Sequence, residues 1–174
     1  MAKRLADGKK LAIEDICLAG EWSAPRLVVN EYEAHFDEGG ATGSAELDVV
    51  TRLAKATNRT DFDFHRIIDL LTPKVQRWIR QYEWEEAPVV EATVKATLPE
   101  WTNKKPDWRR EVRPTMTIDG KVNSGPVTFR GIRLEAVESD LGYTNLTWLL
   151  PNMVARRPEG EVRFAMRSHT ETQD

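Results

Sequence analysis

One stretch holds most of the side chains able to grip another molecule. The run from Trp101 to Arg113 carries five basic residues, two acidic ones and two tryptophans. Indole faces stack on bases, and Lys or Arg contacts phosphates, so Trp101, Lys104, Lys105, Trp108, Arg109, Arg110 and Arg113 form a candidate nucleic-acid surface. The same residue types favour a protein interface, where Trp and Arg concentrate binding energy. They also suit a loop whose tryptophans cover a sheet edge while its cations stay solvated.

Other constellations are weaker. Leu47 to Leu71 reads as helix, turn, helix, but its second helix opens on Asp61, Asp63 and later Asp69. Those carboxylates repel phosphate where a recognition helix needs donors, and a plain helix pair fits better. Glu31, Glu33, His35 and Asp37 would form a row of oxygen and imidazole ligands if they lay on a strand. On a helix they scatter, and a solvated polar face explains them in either case. His65 and His169 stand alone. Cys17, the only cysteine, lies in an apolar context with no cation nearby, which predicts a buried structural thiol. Glu91-Ala92-Thr93-Val94-Lys95 puts opposite charges on one strand face and is explained by a cross-strand charge row.

No phosphate loop, dinucleotide fingerprint, nucleophile elbow or zinc helix is present as a local motif. No metal site or cofactor is expected, and the balance favours a protein that is not an enzyme.

The bulk properties narrow the class. With 174 residues, 40% hydrophobic and 30% charged, the chain can bury a core without disulfides or metals. Net charge is -3, and it is divided unevenly: residues 1–87 carry 12 basic and 16 acidic side chains, residues 88–174 carry 13 and 12. That excludes a strongly basic coat for nucleic acid. The charged opening decapeptide does not read as a signal peptide, and no stretch approaches the length of a membrane helix. The expectation is a cytoplasmic protein with no membrane partner.

The elements that must position these residues follow from periodicity. Leu11–Gly20 suits a short helix. Residues 26–37 read two ways, with Val28, Tyr32 and Phe36 stacking on a helix or Tyr32, Ala34 and Phe36 lining a strand; the helix is preferred. Gly39, Gly40 and Gly43 predict a loop. Helices are expected over 45–56, capped by Ser44, over about 61–71, and over 73–85 with Pro73 in its first turn. Beyond Pro88 the period drops to two: Val90–Leu98, Val112–Ile118, Val127–Val137 with a bulge at Gly131, Tyr143–Leu150 and Val162–His169 read as strands, with a hairpin turn at Asp119-Gly120.

The expected fold is therefore α+β, one domain over residues 1–174, with a helical N-terminal half (11–87) packed on a mostly antiparallel C-terminal sheet (88–170). The expected function is a non-catalytic interaction or assembly protein, a subunit of a larger complex or particle, viral particles included, with a protein partner or its own copies. The alternatives are a nucleic-acid-binding accessory protein using the 99–113 loop, and an enzyme whose residues meet only in the fold.

Overall fold

The computed structural model describes residues 13–36, 39–70 and 73–170. Nine strands form one antiparallel sheet: β1 (Ile13–Ser23), β2 (Arg26–Phe36), β3 (Gly40–Asp48), β4 (Leu53–Thr60), β6 (Val89–Thr97), β7 (Thr117–Ser124), β10 (Ala136–Thr144), β11 (Thr147–Arg157) and β12 (Gly160–His169), adjacent in that order. A small second sheet contains β5 (Tyr82–Trp84), β8 (Val127–Phe129) and β9 (Ile132–Leu134). Among the described residues helix is confined to a 3-10 segment at Phe64–Leu70, α1 (Pro73–Ile79), α2 (Trp108–Glu111) and a 3-10 turn at Arg113–Thr115.

This overturns the α+β expectation. There is no helical N-terminal half: the segments expected as helices over 11–20, 26–37 and 45–56 lie in or across β1 to β4. The expected 45–56 helix fails at its middle. Asp48 Oδ1 accepts hydrogen bonds from Val50 N and Thr51 N at 3.0 and 2.9 Å, and Arg52 takes a left-handed φ of 62°. A reverse turn built without Gly or Pro thus separates two strands whose inward positions, Ala45, Leu47, Ala54 and Ala56, are mostly alanine. Only Pro73–Ile79 survives of the third helix. The predicted loop at 39–43 belongs mostly to β3, and the leader 1–10, Asp37, Glu38 and residues 171–174 lie outside the described residues.

The second half is closer to expectation. Val89–Thr97 and Gly160–His169 match predicted strands. The expected Val127–Val137 strand is instead the β8–β9 hairpin followed by the start of β10, with Arg130 and Gly131 both at positive φ in the turn. The Tyr143–Leu150 segment contains the β10–β11 turn, where Asn145 and Leu146 have φ of 47° and 59°. Asp119-Gly120 is not a turn but the middle of β7.

Gly120 and Gly43 are glycines for a steric reason. A Cβ at Gly120 would run into the Glu91 carbonyl and Ala92 on β6. One at Gly43 would meet the Thr57 carbonyl and the Tyr32 ring. The bare backbone at Gly43 lets Tyr32 on β2 reach over β3, and its hydroxyl donates to Asn58 Oδ1 on β4 at 2.5 Å. Burial raises the Tyr32 pKa above its ordinary value.

Strand register gives the large sheet two unlike faces, because neighbours paired across strands point to the same side. One row crosses all nine strands: Gly20, Val29, Ala45, Ala56, Val94, Ile118, Tyr143, Trp148 and Ser168. Beside it runs Leu18, Tyr32, Gly43, Asn58, Ala92, Gly120 and Leu141. This is the apolar face. The opposite face is charged. There Arg59, Glu91, Lys121 and Asp140 alternate in sign on four adjacent strands, with Arg59 Nε 3.4 Å from Glu91, which is the charge row expected around Glu91.

The insertions between β4 and β6 and between β7 and β10 gather at one end of the sheet. Aromatic rings there link to its apolar face through Phe36, which lies 5.0 Å from Phe62, followed by Phe64, Trp84, Tyr82 and Phe129. Phe62, Ile68, Ile79 and Val127 are buried in this cluster's region; Tyr143, Leu150 and Ala155 are buried in the sheet beneath β10 and β11.

Gly120→Val should destabilise the chain by about 2–3 kcal/mol, the scale of overpacking a close-packed site, read as a lower urea midpoint at unchanged slope. An unchanged midpoint would mean that β6 and β7 do not approach this closely.

Candidate interaction surfaces

The tryptophan loop lies at the end of the sheet opposite the insertions, between β6 and β7. Its backbone is tied down. Asp107 caps α2, accepting from Arg109 N and Arg110 N at 3.0 and 3.2 Å. Glu111 accepts from Asp107 N at 2.8 Å and from Asn103 Nδ2 at 3.1 Å. Val112 is buried, and Thr115 Oγ1 accepts from Thr97 N at 2.9 Å. Trp101 donates its indole N–H to the Val49 carbonyl at 2.8 Å, clamping the β3–β4 turn. Nevertheless Trp101 and Trp108 remain 58% and 56% exposed, and Lys104, Lys105, Arg109, Arg110 and Arg113 are exposed beside them. Arg110 lies 3.6 Å from Asp107. A rigid loop with two presented indoles is therefore a surface, not a disordered tether.

The strand placement of residues 26–36 decides the acidic–histidine row. On the polar face His35 Nδ1 lies 2.9 Å from Asp15 Oδ1 on β1, and Nε2 lies 3.1 Å from Glu33 Oε1. His35 and Glu33 line an open depression of about 440 Å3 together with Glu14, Arg59 and Asp61. The hydrogen bond and charge of Asp15, with Glu33 and Glu14 adding, raise the His35 pKa. Both ring nitrogens face carboxylates, which favours the imidazolium and leaves neither nitrogen open to act as a base. Among the described residues no group of His, Cys, Asp and Glu is arranged to hold a metal ion.

Two further clusters are structural. Asp63 Oδ1 accepts from Trp84 Nε1 at 2.7 Å and His65 N at 2.9 Å, with His65 Nδ1 at 3.0 Å. Burial opposes ionisation of Asp63, but these donors outweigh it and hold its pKa below the usual carboxylate range. On β10 to β12, Arg156 bridges Glu138 and Glu161, and Arg163 lies 2.6 Å from Glu161. This network borders a second open depression of about 670 Å3. The expectation of a buried thiol is corrected: Cys17 is exposed on β1, because β1 is an edge strand and nothing described lies beyond it.

Sequence reasoning missed the most extensive surface. At the β1 edge Ile16, Leu18 and Trp22 are exposed on the apolar face, Leu18 by 68%; at the β12 edge Val162, Phe164 and Met166 are exposed on that same face, Val162 by 60%. The period-two signal of Val162–His169 was readable, but its edge position depends on the order of nine strands. In β1 the signal is blurred because Cys17 and Ala19, on the opposite face, are apolar as well.

No protein family, curated protein or solved structure matches this chain. Among the described residues no helix is long and apolar enough to cross a membrane.

The His35 pKa is raised in the fold, so its stabilising contribution is present below the ordinary histidine value near 6.5 and is lost as pH rises through the folded-state pKa. An NMR titration should place His35 above the unfolded histidine and show a downward shift in Asp15→Asn. Equal values in the two proteins would remove Asp15 as the cause.

Proposed function

We propose that this chain is a non-catalytic assembly protein, a subunit of a larger complex that includes copies of itself. One observation carries the reading: among the described residues, a sheet apolar on one face from edge to edge ends in β1 and β12 with no further strand beside either, each with large apolar side chains in water. Contiguous exposed apolar surface marks an interaction site, and long edges are normally guarded by shortness, charged side chains, Pro or bulges. Here β12 runs ten residues with neither Pro nor register shift of its own. Burying each of the six half-exposed edge side chains contributes about 1 kcal/mol at the usual 25 cal/mol per Å2. The histidine cluster supports no catalytic alternative, because its ring nitrogens are engaged. The tryptophan loop adds a further partner surface.

Light scattering on size-exclusion fractions should give masses that are multiples of 19.9 kDa and fall on dilution across a roughly hundredfold range. A strict monomer throughout that range would overturn the self-assembly reading.

A further inference from the structure

We propose, resting on that assembly reading, that copies join head to tail, with β12 of one chain lying parallel to β1 of the next and Met166 beside Leu18. The occupant of each bare edge is thus the opposite edge of a second copy.

Strand direction comes first. Nine strands paired antiparallel throughout leave β1 and β12 pointing the same way. Copies related by rotation about an axis along the strands would therefore meet through a parallel pair. Faces agree as well: Ile16 and Leu18 on β1 and Phe164 and Met166 on β12 lie on the same side of the sheet, so the join continues the apolar face and buries all four.

Register follows from the row that starts at Gly20 on β1 and ends at Ser168 on β12. A join without slip carries that row into the next copy, placing Ser168 beside Gly20. Met166 then lies beside Leu18, Phe164 beside Ile16, and Ala165 beside Cys17. On the polar face the same register sets Arg163 beside Asp15 and His169 beside Glu21. Arg163 already contacts Glu161, but its fork of five N–H donors leaves others for a second carboxylate.

Charge also selects head-to-tail over two-fold pairing. The polar face at the β1 edge carries Asp15 and Glu21, with Glu31 and Glu33 on the adjoining strand. The polar face at the β12 edge carries Arg163 and Arg167, with Glu161 near the start of the strand beside Arg163. Two β1 edges paired antiparallel about Leu18 would set Asp15 against Glu21, and two β12 edges paired about Ala165 would set Arg163 against Arg167, both unfavourable. Mixed edges set acid against base. A contact between unlike edges repeats, closing into a ring or running on as a filament.

The register makes Cys17 a reporter. Neighbouring strands lie about 4.8 Å apart, within the Cα separation a disulfide spans. Ala165→Cys in the full chain, oxidised with diamide, should give a ladder of dimers, trimers and larger species on non-reducing denaturing gels, reversed by dithiothreitol. The parent chain and the Cys17→Ser, Ala165→Cys double variant should give none. A dimer from either of these controls would show like edges meeting and overturn the proposal, as would a cross-link within a single chain. Light-scattering multimers without a ladder would overturn this join and leave the assembly reading standing; a monomer would remove both. Should Ala165→Cys fail to fold by circular dichroism, charge exchange decides. Asp15→Lys and Arg163→Asp should each raise the dissociation midpoint about tenfold, and together restore it, as for close interfacial charge pairs. Midpoints unmoved by either change would overturn the register.

Discussion

Everything in this chain depends on a sheet that must keep one entire face out of water while its two ends remain open. Nine cross-strand neighbours, from Gly20 to Ser168, hold the apolar side in a single unbroken row. The aromatic insertions cover that side near Phe36, and Tyr143, Leu150 and Ala155 are buried on β10 and β11. Toward β1 and β12 burial gives out, and large side chains face solvent. An antiparallel sheet tolerates water on one face when that face is polar; the charged side of this sheet meets that condition and the other does not. Among the described residues no strand lies beyond either edge, and edge backbone groups template further pairing.

Much of the second half was legible in the sequence, and the first half was not. Val89–Thr97 and Gly160–His169 alternate large apolar with polar residues, so their period shows directly. In β3 and β4 the inward slots hold Ala41, Gly43, Ala45, Ala54 and Ala56, small residues with weak strand preference and good helix preference for alanine. Their size is a requirement of the fold, because Tyr32 must pass over Gly43 to reach Asn58. The turn at Asp48–Arg52 has no Gly or Pro to announce it, and its Leu47, Val50 and Leu53 mimic one side of a helix. Asp119-Gly120 misled in the opposite sense: a turn-forming pair is used where a side chain would strike β6. At the sites, the composition of the 99–113 loop left open whether its tryptophans cover a sheet edge or face solvent; Trp101 and Trp108 are more than half exposed. The apolar edges were not readable, because exposure there follows from strand order, a property of the whole chain.

The polar side and the loop are compatible with the proposed assembly. The Arg59, Glu91, Lys121 and Asp140 row alternates in sign across four strands, and Arg59 pairs with Glu91. The Asp15–His35–Glu33 cluster ties β1 to β2 on the polar side of an edge strand, fixing the strand that carries Ile16 and Leu18. Trp101, bonded to the Val49 carbonyl, holds the far end of the sheet and presents its ring from a rigid base. Rigid elements carrying exposed apolar groups lose little entropy when they associate.

Hydrogen exchange by mass spectrometry on the intact chain reads the two edges directly. If both are covered by other chains, peptides spanning Ile13–Ser23 and Gly160–His169 will exchange slowly in concentrated solution, and both will speed up together on dilution. Fast exchange of the outward amides of both strands at every concentration would contradict the account, since the edges would then stand open in solution.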